Sequence, residues 1–399
     1  MSRFAARVDA ATPPGRDRVV DALRALAIVG VIGGHWLVTA LVPGPAGAGG
    51  LRDTSPLASM PWLAPVSWVF QTLAVFFLVG GYSAARGYHG CYRSWLRKRL
   101  ARLVRPVAVL AAVWIPVTVG LCLAGCSPEL VHTLLTLVID PLWFLGVYAG
   151  LTALTPVACW LVRRFGAWAA LFPAAVVAAA DLVRFRLGGP GWVGWINLPA
   201  GWLVPYLLGV AWARGSLRGR KGPALMLTAG AGATAALMAL AGYPASMVGV
   251  NGAAISNLNP PTLAAVTFGV AQCGLALLSR GVLARWMRRP VAWAVVATVN
   301  LSAMTLFLWH QTAFIAVTAA GMLGGRVPGL LTAPAGAAWI GERMAWLPAF
   351  AAVLAGLWAL LHRFEHAARR PQPSTEGARR RATRNPPSTG QALQSLPPA

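Results

Sequence analysis

Two ionisable residues interrupt an apolar stretch near the start of the chain. Arg24 and His35 lie within residues 20–42, where most other side chains are apolar or glycine. An α-helix turns by about 100° per residue, so positions eleven apart face the same side, about 16 Å apart along the axis. Arginine suits a phosphate or a developing negative charge, and histidine suits proton transfer near neutral pH. The pair therefore predicts a catalytic site on one helix face, with His35 as the general base and Arg24 as a group that neutralises a developing oxyanion or holds the inner end of an anionic donor. A snorkelling Arg beside a hydrogen-bonded packing His is the structural alternative.

The helix that holds this pair belongs to a strongly apolar chain. Of 399 residues, 57% are hydrophobic and 11% are charged, whereas soluble domains have about 45–50% and about 25%. An ordinary water-soluble enzyme is thus excluded. No period-two pattern recurs, and lipid tolerates only helices or closed barrels, so we predict an all-α, polytopic membrane protein of about ten transmembrane helices. The predicted spans are 20–42, 63–85, 104–124, 132–162, 166–184, 199–213, 223–243, 261–279, 291–320 and 344–362, with a break at Asp140-Pro141 in the fourth.

The charges predict the orientation. Lys and Arg number 34 against 10 Asp and Glu, a formal net charge of +24. Assigned to the gaps between spans, 28 basic residues fall on one side and Arg24 lies inside the first helix; the other side has Arg52, Arg184, Arg186, Arg326 and Arg343. The positive-inside rule places both termini in the cytoplasm. The clusters alternate with apolar runs, which argues against nucleic-acid binding.

The same pattern divides the chain into three parts. Residues 1–18 are expected to be a cytoplasmic leader, 19–363 the membrane domain and 364–399 a disordered, basic, Pro-rich cytoplasmic tail. The first span is interpreted as an uncleaved signal anchor. The excess of Arg over Lys suggests a GC-rich bacterial genome, so we expect a multi-pass protein of the bacterial cell membrane.

Other polar residues extend the candidate site. Asp21, one turn before Arg24, is expected to be its ion-pair partner. Arg99, Arg102 and Arg105 share a face at the cytoplasmic start of the third span, although such a cluster also fits topology alone. His310 lies at roughly the depth of His35, and the outward segment 249–261 carries Asn257 and Asn259. Five cysteines without metal-ligand spacing predict no metal, and no phosphate-binding glycine loop is present.

These residues fall in motifs that resemble, in order, the acyltransferase-3 family of integral membrane O-acyltransferases. The matching segments are the Arg-x10-His stretch 20–36, the "FFxxSGY"-like 75–82, the "RxxR-L-x-P"-like 97–106, the "LWFL" of 142–145 and the "YLxH"-like 306–311. The resemblance implies a membrane-only member that moves an acyl group, commonly acetyl, from acyl-CoA to a hydroxyl of a sugar or glycan. On that basis Arg99, Arg102 and Arg105 are expected to hold donor phosphates.

The chain departs from the family pattern at two positions. Many members carry a Glu shortly after the Trp of the fourth helix, where this chain has Tyr148, so no catalytic Glu is carried over. We expect Tyr148 to line the acceptor cavity together with His310, Asn257 and Asn259. Gly80 also stands where many members have Ser.

A different class of function remains open on the sequence. A proton-coupled transporter or flippase for a glycan or lipid would use His35 and His310 as a proton relay. For the acyltransferase, the expected partners are acyl-CoA as donor substrate, a carbohydrate or other hydroxyl acceptor and membrane lipid, with no bound cofactor. The sequence does not determine the oligomeric state.

Overall fold

The computed structural model describes residues 3–44, 50–250, 253, 255–325 and 327–365. The predicted tail from residue 366 onward and Arg326 therefore lie outside the described residues. The helices are α1 (Arg3–Ala10), α2 (Arg18–Val38), α3 (Pro56–Ser59), α4 (Ala64–Phe70), α5 (Leu73–Gly87), α6 (Tyr92–Leu123), α7 (Pro128–Ile139), α8 (Leu142–Ala153), α9 (Thr155–Phe165), α10 (Leu171–Phe185), α11 (Asn197–Ala213), α12 (Lys221–Ala241), α13 (Leu263–Leu278), α14 (Arg280–Trp286), α15 (Pro290–Leu301), α16 (Ala303–Met322) and α17 (Ala337–Glu365). The strands are β1 (Ala40–Pro43) and β2 (Leu51–Thr54).

The all-α membrane architecture is confirmed. Within the described residues, nine helical segments are long and apolar enough to span a membrane, and a tenth results if α13 and α14, which meet at 50°, form one span. The fourth predicted span breaks between Ile139 and Leu142, as expected from the proline there. Two boundaries differ from the prediction: residues 155–162 belong to the following span, and 291–320 divides at Ser302 into a short helix and a span. The orientation of the termini remains a prediction.

Helices α2, α5, α11 and α16 form the buried centre of the bundle. The α5–α11 contact is close because glycine occurs on both sides, as is common where membrane helices approach each other. A Cβ at Gly81 would overlap the carbonyl oxygen of Tyr206, and a Cβ at Gly209 would overlap that of Leu78. This contact fixes α5, the helix that lies beside α2.

The two ends of the bundle differ in chemistry. We call one end the arginine face: it carries the first turns of α2 and the Arg97–Arg105 stretch of α6. The other end, the hairpin face, carries the last turn of α2 and the antiparallel pair β1–β2, in which Leu41 pairs with Asp53. Arg24 therefore belongs to the arginine face and His35 to the hairpin face.

The charge count placed Arg343 in a loop between spans, but the structure places it in a helix. Helix α17 begins at Ala337, seven residues before the predicted span, so Arg343 lies within the helix and its side chain is fully buried. Its guanidinium donates hydrogen bonds to the backbone carbonyls of Trp36, Thr39 and Gly329. Among the described side chains, no carboxylate forms a salt bridge with it.

Candidate functional site

A cavity of about 300 Å³ opens at the hairpin face beside the end of α2. Its walls come from α2, the α7–α8 break, β2, residues 248–249 and 258–259, and α16. The polar side chains that line it are those of His35, Thr39, Asp53, Thr54, Ser55, Gln71, Thr136, Asp140, Asn259 and Gln311. Its size is at the lower end of the range for small-molecule sites, about 300–1,000 Å³.

His35 is held in this cavity by Gln311 of α16. The side-chain amide of Gln311 lies 3.3 Å from Nδ1 of His35. With the amide oxygen turned toward Nδ1, Gln311 accepts the Nδ1 proton and leaves Nε2 of His35 as the free base. The opposite end of this amide is buried and has no hydrogen-bond partner among the described residues. His35 thus has the orienting hydrogen bond that a general base needs.

His310 lies behind His35 rather than in the cavity wall. The two ring centroids are 5.0 Å apart. His310 is fully buried, its Nδ1 lies 2.6 Å from the carbonyl oxygen of Phe307, and its carbonyl oxygen accepts a hydrogen bond from the indole of Trp36. The side chain that lines the cavity in this region is therefore that of its neighbour, Gln311.

The two asparagines of the outward segment have different positions. Asn259 lines the cavity. Asn257 does not: it is fully buried, its amide nitrogen donates to the carbonyls of Pro244 and Ser246, and its oxygen accepts from Thr262. Because these local partners occupy the amide, Asn257 shapes the loop beside the cavity.

Tyr148 also lies outside the cavity lining. Its ring stacks on that of Phe144 and packs edge-on against Phe76. The position of Gly80 is explained by this packing, because a Cβ there would overlap the Tyr148 ring. The tyrosine therefore fills space opposite a glycine, and both departures from the family pattern occur at one contact.

On the arginine face, Arg24 and Arg99 meet at Ser83 of α5. Arg24 donates to the Ser83 hydroxyl at 2.7 Å, and Arg99 donates to the Ser83 carbonyl at 2.8 Å. Asp21 lies 3.4 Å from Arg24, as predicted, but it is closer, at 2.6 Å, to Arg16. Two cations from distant parts of the sequence thus share one neighbour.

The rest of the predicted donor cluster follows Arg99 along α6, one and two turns farther from the start of the helix. Arg99 is partly buried over the ring of Trp95, 4.9 Å from its centroid, whereas Arg102 and Arg105 are exposed. Neither Arg102 nor Arg105 makes a salt bridge with a described acidic side chain. Their guanidinium groups are therefore accessible to an anion.

A second, larger groove of about 620 Å³ lies between α2, α4, α5, α12 and α13. Its lining is almost entirely apolar and contains no ionisable side chain. No group of three or more potential metal ligands occurs among the described residues. Of these two cavities, the one that contains His35 therefore carries the ionisable side chains.

Sequence reasoning did not select Gln311, Ser83 or Asp140 as site residues. Gln311 follows His310 directly, and Ser83 follows the glycine-tyrosine motif by one residue, so proximity to motifs was the available signal. Asp140 was noted only as the position of a helix break. Its carboxylate was not assigned to the cavity because that placement depends on how α7 packs against α2 and α16.

Comparison with known proteins gives one family match. A family model described as an acyltransferase domain matches residues 17–362, which is most of the chain. No curated protein and no solved structure matches the chain. The matched range begins just before α2 and ends within α17, so it includes the cavity, Ser83 and the arginine cluster. The chain is a membrane acyltransferase that belongs to the acyltransferase-3 family.

Proposed function

We propose that this protein transfers an acyl group, acetyl in the first instance, from a cytosolic acyl-CoA to a hydroxyl of a sugar, glycan or other acceptor. The observation that carries the proposal is His35, which lines a cavity of about 300 Å³ and lies 3.3 Å from the amide of Gln311. The acceptor occupies this cavity, and the polyanionic donor enters at the arginine face of the bundle. The protein lies in a bacterial cell membrane.

In the proposed reaction, His35 removes the proton of the acceptor hydroxyl as its oxygen bonds to the acyl carbon. The tetrahedral intermediate then collapses, the carbon–sulfur bond breaks, and the CoA thiolate takes the proton from the imidazolium. Gln311 supports the step because an amide oxygen on Nδ1 stabilises the imidazolium and fixes the ring. A base positioned in this way contributes about 10²–10⁴-fold to the rate.

The arginines serve the donor in this proposal. Arg24 lies about 16 Å from His35 along α2, too far to stabilise the oxyanion of the reacting carbonyl. It therefore binds the donor with Arg99, its neighbour at Ser83. Arg102 and Arg105, which are exposed, take the phosphates of CoA, and the acyl end of the donor reaches through the bundle toward His35.

The proposal is tested in the source organism with the gene deleted and then restored. Mass spectrometry of envelope and secreted hydroxyl compounds should show a species that loses the mass of one acyl group on deletion and regains it with the wild-type gene. Restoration with His35→Ala should fail although the protein is present in the membrane. His89→Ala, which changes an exposed histidine on a loop, is the matched control and should restore the product.

A labelled donor separates transfer from transport. Membranes that contain the wild-type protein should incorporate label from radioactive acetyl-CoA into an acceptor, and membranes with His35→Ala should not. Unchanged incorporation with His35→Ala would refute the role of His35. Movement of an acceptor across the membrane without any acyl donor would instead favour a transporter.

A further inference from the structure

Asp140 places a negative charge in the wall of the His35 cavity. It follows the last residue of α7, at the break before α8, and lines the cavity together with His35 and Gln311. No described residue donates a side-chain hydrogen bond to its carboxylate or forms a salt bridge with it. The carboxylate is therefore available to whatever occupies the cavity.

No basic side chain balances this charge in the lining. The described residues that line the cavity include no Lys and no Arg. Arg52 precedes the cavity residue Asp53 on β2, but successive side chains of a strand point to opposite faces. Asp53 lines the same cavity and acts electrostatically on Asp140, which adds to the negative charge of the lining.

A second feature of the same cavity points to a polar occupant. Gln311 is only 3% exposed; one end of its amide meets His35, and the opposite end has no partner among the described residues whichever way the amide is turned. Buried amide groups without a partner are rare in folded proteins, because each costs free energy. A hydrogen-bonding ligand in the cavity would satisfy it beside the general base.

We infer that the occupant of this cavity is a hydroxyl compound that carries a positive charge, such as an amino sugar with a protonated amine. The ammonium group pairs with Asp140, the hydroxyl faces His35, and a neighbouring polar group meets Gln311. Anionic acceptors, such as sugars with carboxylate or phosphate groups, are disfavoured because they bring a second negative charge to Asp140. This inference relies on the proposed function only where it calls the occupant an acceptor.

Thr136 lines the cavity one turn before Asp140. The variant Thr136→Cys introduces a thiol there, and its reaction rates with charged reagents measure the charge of the cavity. The purified full-length protein in detergent is treated with two methanethiosulfonates of similar size, one with a trimethylammonium group and one with a sulfonate. Peptide mass spectrometry reads each cysteine separately. Native Cys126, which precedes α7 and is not part of the lining, is the internal reference.

At each cysteine, the rate of modification by the cationic reagent is divided by the rate with the anionic reagent. This ratio should be about tenfold higher at position 136 than at Cys126, and it should fall as salt is added. Adding Asp140→Asn should remove most of this preference. A second thiol, from Asn259→Cys on a different wall, should show the same dependence on Asp140. Equal ratios at the cavity and reference positions, or an anionic preference in the cavity, would overturn the inference.

Protection from modification tests the occupant itself. Methyl glucosaminide, which is cationic, should slow the reaction at position 136 at concentrations where neutral methyl glucoside has no effect, and Asp140→Asn should abolish this difference. Equal protection by the two sugars, or by neither, would contradict a cationic occupant. Neither measurement uses an acyl donor, so the two proposals can fail separately. If the protein shows the preference for cations but does not transfer acyl groups, the proposed function is refuted and this inference stands.

Discussion

The Arg343 guanidinium donates a hydrogen bond to the backbone carbonyl of Trp36 across 307 positions of sequence, with an N–O distance of 2.8 Å. A further N–H reaches the carbonyl of Thr39, the residue that caps α2. The last carbonyls of a helix have no partner within it and form the negative end of its dipole. Arg343 therefore holds α2 at the turn that carries His35.

Replacing this arginine should destabilise the protein strongly. Arg343→Met keeps an apolar side chain in the space but leaves three buried carbonyls without their donor, and we expect a loss of about 3–5 kcal/mol. Thermal unfolding in detergent measures it. Trp346→Phe is the control, because it removes one exposed hydrogen bond from the next turn of α17, to Pro328, and should cost about 1 kcal/mol. Equal unfolding temperatures of the two variants would contradict the role of Arg343.

Gln311 should affect the chemical step rather than donor binding. Loss of its hydrogen bond to His35 leaves the ring free to turn, so Gln311→Ala should lower the acyl transfer rate about 5- to 30-fold, which corresponds to about 1–2 kcal/mol. The KM for the donor should stay unchanged. Rates at saturating donor measure the first effect, and the dependence on donor concentration measures the second.

The neighbouring position provides a control for this variant. Thr312 is the next residue of α16, and its hydroxyl accepts a hydrogen bond from the indole of Trp114, away from His35. Thr312→Val should change the rate little. A larger loss with Thr312→Val than with Gln311→Ala would mean that the packing of α16, rather than the contact with His35, limits the reaction.

The sequence predicts features that depend on local periodicity. Arg24 and His35 share a helix, so their common face follows from the helical repeat, and the break at Pro141 follows from the missing backbone donor of proline. The contact between His35 and Gln311 spans 276 positions and depends on how α2 and α16 pack. Periodicity carries no information about such contacts.

The remaining site features depend on tertiary contacts, as two asparagines and an arginine illustrate. Asn257 and Asn259 are two residues apart in a polar segment, yet one is fully buried among the backbone carbonyls of 244 and 246 and the other lines the cavity. Arg343 was counted as a loop charge because its neighbourhood is less apolar than the span that follows. Only the tertiary structure supplies the carbonyls that make its burial favourable.

Donor binding should depend on one face of α6. If Arg102 and Arg105 bind phosphates, Arg105→Ala should raise the KM for acyl-CoA up to about fivefold, since exposed ion pairs contribute about 0.2–1 kcal/mol. The increase should shrink at high ionic strength because salt screens exposed charges. Steady-state kinetics at two salt concentrations measure both effects.

Arg97 is the matched control for this charge change. It is exposed like Arg105 and lies on the same helix, but it is eight positions, about 12 Å along the axis, from Arg105 and faces about 140° away from Arg102. Arg97→Ala removes the same charge and should leave the KM nearly unchanged. If both variants raise the KM equally, the donor responds to the net charge of the arginine face and not to a specific site.

The close approach of α5 and α11 should tolerate no side chain at Gly81. In Gly81→Ala, the new methyl group would overlap the Tyr206 carbonyl oxygen, which is backbone and cannot move without shifting α11. Overpacking costs about 1–3 kcal/mol where side chains can adjust, so a larger loss of stability is expected where backbone must move. Ser83 lies two residues along α5, and the shift should therefore also weaken donor binding through Arg24 and Arg99.

Gly150→Ala separates this steric effect from the helix propensity of alanine. Gly150 lies in α8, and a Cβ there would meet no atom within 4 Å. Alanine is favoured over glycine in a helix by up to about 1 kcal/mol, so this variant should unfold at the same or a higher temperature than the wild type. Thermal unfolding and the KM for the donor are measured for both variants. Because both add one methyl group to a membrane helix, wild-type behaviour of Gly81→Ala would show that α5 and α11 can separate without disturbing Ser83.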